Sequence, residues 1–482
     1  MAGLTALLAN VVGFAVLIIV DVPVIRDLAL TTSIGVSVLI FTKLILIPAL
    51  LSYTGVSASA AQRSLREQEG EPNLSTPIWT FFSNFTQPRW ALAAILVATL
   101  LFGVAMTVRL NLQIGDLNPG APELRDSSRY NRDVAYVTAN YGLSNDQFAV
   151  IVKTLPDDCD QFQNLIEADR LGWELSHVPG VQAIESFATL TRRGVASTNE
   201  GYYKWNTIVR EPRSLGYATS RVLTNNPDSL NPKCSVFPVM AYLSDHKADT
   251  LTGVLKSVEE FAAEHNSEKI QFLPAAGSAG IEAVTNIVVE ESFYKMHALL
   301  YVGVILLCFI TFRSWRAVLV ALIPLLITSV LCEALMVWLN IGVKVATLPV
   351  IALGVGIGVD YALYLLSIQL LMQRRGATLL EAYKSSLQFT GKVVAMVGMT
   401  MAAGVVTWAW SPIKFQADMG ILLAFMFLWN MLGALILIPA LSCFMLQNRA
   451  QRNATRKDGV KSETLESSAS VVTKPETKTL SA

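Results

Sequence analysis

The stretch VATLPVIALGVGIGVDYALYLLSIQLL, residues 345–371, decides how the rest of the chain is to be read. A spanning helix needs about 20 apolar residues, because the hydrocarbon core is about 30 Å thick and each helical residue rises about 1.5 Å. This run exceeds that length and carries a single charge, Asp360, near its middle. A carboxylate at such depth costs about 2.5–3.5 kcal/mol on insertion scales, so Asp360 is expected to face the protein interior as a proton or ion site. The alternative is an Asp hydrogen-bonded for helix packing. Gly354, Gly356 and Gly358 precede it. Gly354 and Gly358 share a face and let a neighbouring backbone approach, while Gly356 sits one turn before Asp360 and leaves room for water or a partner. A dinucleotide reading of these glycines fails for want of a strand-turn-helix context.

Outward from this run, composition agrees with a membrane protein. Of 482 residues 52% are hydrophobic and 15% charged, with Lys+Arg and Asp+Glu balanced at 37 each. The mean hydropathy of +0.46 is high for a soluble domain. Eight candidate spans run Leu4–Val20, Leu28–Leu51, Trp90–Val108, His297–Phe312, Ala317–Leu339, Val345–Leu371, Val393–Trp410 and Met419–Leu446. The first lacks a basic n-region and a small-x-small cleavage site, so it reads as a span and not a signal peptide. A neutral total argues against nucleic acid as a partner. Five scattered cysteines offer no metal or redox motif, the four histidines are isolated, and no catalytic constellation or cofactor site is visible.

Orientation follows from the basic residues at the span ends. Arg63, Arg66, Arg89, Arg313, Arg316, Arg374, Arg375, Lys384 and Lys392 fall in one set of loops, and Arg449, Arg452, Arg456 and Lys457 continue it in the tail. The opposite short loops hold only Arg26, Lys344 and Lys414. The rich set is expected inside, which leaves residues 109–296 outside. Residues 54–88 read as a cytoplasmic linker whose aromatic end, IWTFFSNF at 78–85, suits an interfacial helix or a plain loop. From 447 to 482 the composition is too polar to fold, and a disordered cytoplasmic tail is expected.

Within 109–296 the pattern changes to strand, helix, strand, twice over: Gln147–Lys153, Asp160–Leu175 and Val181–Phe187, then Val236–Leu243, Leu251–His265 and Ile270–Pro274. Two such units match the split βαβ arrangement. The expected fold is therefore a polytopic α-helical membrane protein of eight spans with one α+β, ferredoxin-like extracytoplasmic domain. Cys159 and Cys234 both lie in that domain, and a disulfide and two free thiols are equally open. Glu333, in the fifth span, pairs, titrates or lies near the outer interface, with the last favoured. Thr400 and Thr407 are candidate hydrogen-bond partners for Asp360, although threonines often bond their own helix backbone. Lys43 snorkels or pairs, and Trp408 and Trp410 suit an aromatic belt.

The chain also repeats itself. At a constant offset of 391 residues, LILIPAL at 44–50 recurs at 435–441, Asp27 aligns with Asp418, and Gly13 with Gly404. The first two spans (1–53) are thus expected to copy the last two, as the remnant of a duplicated unit whose second copy comprises the span at 89–108, the outside domain and the five-span bundle at 297–446. Four spans and one outside domain of the first copy are expected upstream of Met1.

GVGIGVDYALYL at 354–365, the LILIPAL ending, TGK at 390–392 and the large domain after the third span resemble the resistance-nodulation-division permeases. The nearer likeness is to the lipid-handling branch, the mycobacterial membrane protein large (MMPL) transporters and hydrophobe exporters. Sterol-sensing proteins are more distant. The resemblance implies a bacterial inner-membrane exporter, not an enzyme, that moves hydrophobic or amphiphilic molecules such as membrane lipid, driven by inward proton flow. It makes 109–296 a porter domain and implies that Asp360 and Tyr361 are the tenth-span pair of a proton relay. The fourth-span pair that would face them is not in this chain, so a second copy or another chain is the implied partner. A lipid sensor or accessory subunit of the sterol-sensing type, without transport, is the alternative.

Overall fold

The computed structural model describes residues 2–55, 57, 59, 62, 76–141, 144–227 and 230–447. The expected tail at 448–482 and most of the polar linker lie outside the described residues. The chain opens with α1 (Ala2–Ala15), closed by a 3-10 turn at Val16–Ile19, then α2 (Pro23–Phe41), which passes through a π-helical stretch at Thr42–Leu46 into α3 (Ile47–Thr54). The aromatic helix α4 (Thr76–Ser83) precedes α5 (Pro88–Arg109). The α+β domain holds α6 (Arg129–Tyr141), β1 (Gln147–Thr154), α7 (Phe162–Leu175), β2 (Val181–Ser186), α8 (Phe187–Thr198), α9 (Pro212–Asn225), β3 (Val236–Leu243), α10 (Ala248–His265) and β4 (Ile270–Ala276). The bundle is completed by α11 (Gly277–Phe312), α12 (Trp315–Trp338), α13 (Leu348–Arg374), α14 (Leu379–Ser386), α15 (Lys392–Val406) with a 3-10 turn at Thr407–Trp410, and α16 (Lys414–Met445).

Among the described residues seven helical runs are long and apolar enough to cross a membrane, and a shorter apolar one, Gly3–Ile19, lies at the start. Proline in the first turn of α2, α5 and α13 sets the entry of each, since its missing N–H is an orphan there anyway. The molecule is a polytopic helical membrane protein with one small α+β domain.

The sheet has the order β2-β3-β1-β4 with every neighbouring pair antiparallel. That order, with α7 and α10 as the two crossovers, is the ferredoxin-like topology. Alternation explains the packing: β3 buries Phe237, Val239, Ala241 and Leu243, which meet Leu165, Leu171 and Phe261 from the crossover helices. The polar insertion after β2 contains two helices that the sequence reading left unassigned. Their apolar faces are short, Phe187, Ala188 and Val195 on α8 and Leu215 and Val222 on α9, and are satisfied largely by each other.

The duplication is visible in backbone detail. The 3-10 turns at Val16–Ile19 and Thr407–Trp410 sit at equivalent positions, as do the starts Pro23 and Lys414 and the ends Thr54 and Met445. The burial of the copies differs. α16 is enclosed by α5, α12, α13 and α15, whereas the run Pro23–Thr54 buries none of its apolar window.

Two backbone bridges seat the domain on the bundle. Gly115 N–H donates to Val343 O (2.8 Å) and Val343 N–H to Gln113 O (2.9 Å), while Lys414 N–H donates to Glu123 O (2.8 Å). A Cβ on Gly342 would collide with the Gly115 carbonyl, so the first bridge requires a glycine.

Cys159 and Cys234 form a disulfide across a sequence separation of 75 residues, tying the start of α7 to the end of the insertion. Replacing both cysteines by serine should destabilise the domain by about 2–5 kcal/mol. Limited proteolysis of the full chain, read at the insertion helices, checks this; unchanged cleavage would show that the bridge constrains nothing.

Candidate functional site

Asp360 lies on α13 where that helix is crossed closely from two sides. On one side is α1, whose Ala6, Ala9 and Gly13 form a small-residue face. A Cβ on Gly13 would stand 3.4 Å from Ala352 O and 3.7 Å from the Gly356 Cα, so the two backbones are nearly in contact. That approach brings Asn10 to the carboxylate: Asn10 Nδ2 donates to Asp360 Oδ2 at 2.7 Å. The space that Gly356 opens is thus taken by Asn10 and Ala9 of α1.

On the other side is α16. A Cβ on Gly354 would strike Met426, and one on Gly358 would stand 2.6 Å from both Asn430 Nδ2 and Leu325 Cδ2. Asn430 Nδ2 donates to Gly354 O at 2.7 Å. The three glycines therefore face different neighbours, Gly354 toward α16, Gly358 toward both α16 and α12, and Gly356 toward α1.

As a residue Asp360 is half-buried, but its Oδ1 is shielded from solvent and has no hydrogen-bond partner among the described residues. The same holds for Tyr361 OH, on a side chain 2% exposed, and for Asn430 Oδ1. Buried polar atoms without partners are rare in folded proteins and cluster where protons, ions or water are handled. Such an arrangement can exchange a proton: an enclosed carboxylate with one fixed donor, a free oxygen, and a phenol as the next residue.

The other sequence candidates lie elsewhere. Thr400 and Thr407 are exposed on the opposite side of α15 and its turn, and each donates to its own helix, to Met396 O (2.8 Å) and Gly404 O (2.7 Å). They do not reach Asp360, because a threonine in a helix has a carbonyl one turn back within easy reach. Glu333 is also apart from Asp360: it is 1% exposed, ion-paired with Arg109, and 3.6 Å from His297 Nε2, so it pairs, one of the alternatives the sequence left open. Lys43 is the exception: it is exposed on the π-helical stretch of the first repeat, and its charge acts on the Asp360 carboxylate. Asn10 and Asn430 were missed by sequence reasoning. Their signal was available, an uncharged amide in an otherwise apolar run, but it is weaker than that of a charge.

The fold and this site define a membrane bundle built around an intramembrane carboxylate and capped by a ferredoxin-like domain. The MMPL family model matches residues 242–476, from the end of β3 through the last span and beyond it. The chain is 25% identical over 167 residues to the Methanocaldococcus jannaschii protein MJ1562, named as a membrane protein, a match covering 35% of this chain and 43% of that one. A crystal structure of SecDF in its super-membrane-facing form superposes with a TM-score of 0.48 at 12% identity, covering 94% of this chain and 49% of the other. The chain thus spans about half the length of the proteins it is compared with.

The close crossing at α16 makes a paired prediction. Gly358→Ala should destabilise by about 1–3 kcal/mol through overpacking. Gly404→Ala, whose new methyl meets nothing within 4 Å, should not destabilise. Thermal unfolding of both variants in one detergent decides, and equal midpoints would refute the crossing.

Proposed function

We propose that this chain is part of a proton-driven exporter of hydrophobic or amphiphilic, lipid-like molecules, acting in a bacterial inner membrane with the α+β domain outside and the C-terminus inside. The observation that carries this reading is the Asp360 carboxylate, enclosed in an apolar bundle with Asn10 on one oxygen and, among the described residues, no hydrogen-bond partner on the other. The unequal distribution of Lys and Arg among the loops supports the orientation.

The carboxylate has two forms with different needs. Ionised, it accepts the Asn10 N–H and leaves Oδ1 to water or to Tyr361. Neutral, it becomes a donor, and the Asn10 amide answers it best by turning its oxygen toward it. The two forms therefore prefer different relations between α1 and α13, which is the differential free energy that coupling demands. Tyr361, one residue on with a free hydroxyl, is the group to pass the proton along. The porter function belongs to the α+β domain, whose substrate is an amphiphile drawn from the bilayer.

The exposed apolar run Pro23–Thr54 supports a further helical partner in the working assembly, from a second copy or another polypeptide. Its repeat counterpart α16 is packed on several sides.

The test is movement of a fluorescent long-chain amphiphile in vesicles bearing the protein under an imposed pH gradient. Asp360→Asn should reduce gradient-driven movement to background, and Asp360→Glu should retain part of it. Undiminished movement in Asp360→Asn removes Asp360 from coupling.

A further inference from the structure

A second group of ionisable side chains lies in the neck where the α+β domain meets the bundle, and the reading above does not use it. Asp116 follows the strand-like bridge of residues 113–115, and its carboxylate accepts from Lys344 Nζ at 2.8 Å. Lys344 lies just ahead of α13 and stands 3.9 Å from Asp418 Oδ2 on α16. Asp418 in turn faces Lys414 and Arg125. From the domain side, Glu282 on the outer part of α11 comes within hydrogen-bonding reach of the Asp116 carboxyl and also faces Asp146 and His246. Two carboxylates in that contact repel unless one proton lies between them.

An independent observation points at the same spot. His246, 3% exposed, turns Nδ1 to Asp146 Oδ1 at 3.2 Å, and its Nε2 is enclosed without a partner among the described residues. The imidazole also faces Glu282 and Asp116. Lys247, next to it, pairs instead with Asp245 at 3.5 Å.

We propose that Asp116 and Glu282 form a second proton-binding site in the neck, and that Lys344 ties its charge to the head of the helix that carries Asp360. With one proton shared, the pair holds one negative charge, matched by Lys344. When the proton leaves, the pair holds two, and the lysine and imidazole are drawn toward it. Burial alone would lower the His246 pKa, but the hydrogen bond and charge of Asp146, with the charges of Glu282 and Asp116, raise it above the ordinary histidine value. Ala248 N–H donates to Asp116 O at 3.0 Å, so a shift at Asp116 is felt at the first turn of α10. The link to Asp360 rests on the function proposed above; the proton-binding site does not.

Infrared difference spectroscopy of the full chain in lipid nanodiscs, titrated from about pH 5.5 to about pH 8.5 around the ordinary histidine pKa of about 6.5, tests this. The wild type should show a protonated-carboxyl band that titrates, and Glu282→Gln should abolish it. Asp360→Asn should leave that band in place, which separates this site from the exporter reading. Lys344→Gln should move its midpoint up by about one pH unit, the lower end of what an opposite charge does to a neighbouring carboxyl. His246→Gln, the milder variant should Glu282→Gln not fold, should also move the midpoint. A Glu282→Gln or His246→Gln spectrum identical to wild type throughout overturns the site, and an unmoved midpoint in Lys344→Gln overturns the tie to α13.

Discussion

A carboxylate inside an apolar bundle is tolerable only if the bundle answers it, and here the hydrogen bond comes from one amide, Asn10 Nδ2, 2.7 Å from Asp360 across 350 residues of sequence, with the charge of Lys43 acting from farther off. Much of the bundle's arrangement serves that distance. An Asn side chain is short, so the backbones of α1 and α13 must almost touch for it to reach, and Gly13 against Ala352 and Gly356 lets them. On the far side, Gly354 and Gly358 admit Met426 and Asn430 of α16, which prevents α13 from retreating. The glycines before Asp360 thus hold one helix between two others at a separation that larger residues would forbid.

The duplicated heptapeptide shows how context decides what one sequence does. In LILIPAL a proline four residues after the first leucine removes the N–H that would bond that leucine's carbonyl. In the second copy the freed carbonyl is that of Leu435, and the buried Tyr383 hydroxyl of α14 donates to it at 2.7 Å, so α16 runs through Pro439 unbroken. In the first copy the helix instead changes to a π-helical stretch at Thr42–Leu46 before Pro48. The same local defect is answered by a neighbouring side chain in one place and by a change of helical pitch in the other.

What was legible in the sequence is what depends on local pattern. Span positions follow from runs of apolar residues, and the ferredoxin-like domain from the two strand-helix-strand units, whose β3 was placed at Val236–Leu243 to the residue. Helices α8 and α9 were not assigned because their overall composition is polar, although their apolar residues gather on one face as clearly as those of α7 and α10. Glu333 was expected near the outer interface because it lies close to the end of its span, with pairing as an alternative, and it is enclosed and paired. Its partners Arg109 and His297 come from two other helices, and no local pattern shows three helices meeting at one point. Asn10 escaped for the same reason, since only the crossing of α1 and α13 gives it a role.

These non-local contacts share a location that bears on how the domain and bundle act together. The α+β domain has two covalent stems, α5 leading in and the continuous helix α11 leading out. Arg109 is the last residue of the first and His297 lies midway along the second, and both converge on Glu333. A buried ion pair is poor evidence of stability, because desolvation consumes most of the attraction, but breaking one strands a charge at large cost. The cluster therefore fixes where the stems meet more than it strengthens the fold. With the stems pinned at Glu333 and the neck held at Val343, Lys344 and Lys414, the domain is tied to the bundle through contacts on α12, α13 and α16, so the helix that carries Asp360 is joined to the domain at its head and not only through the chain.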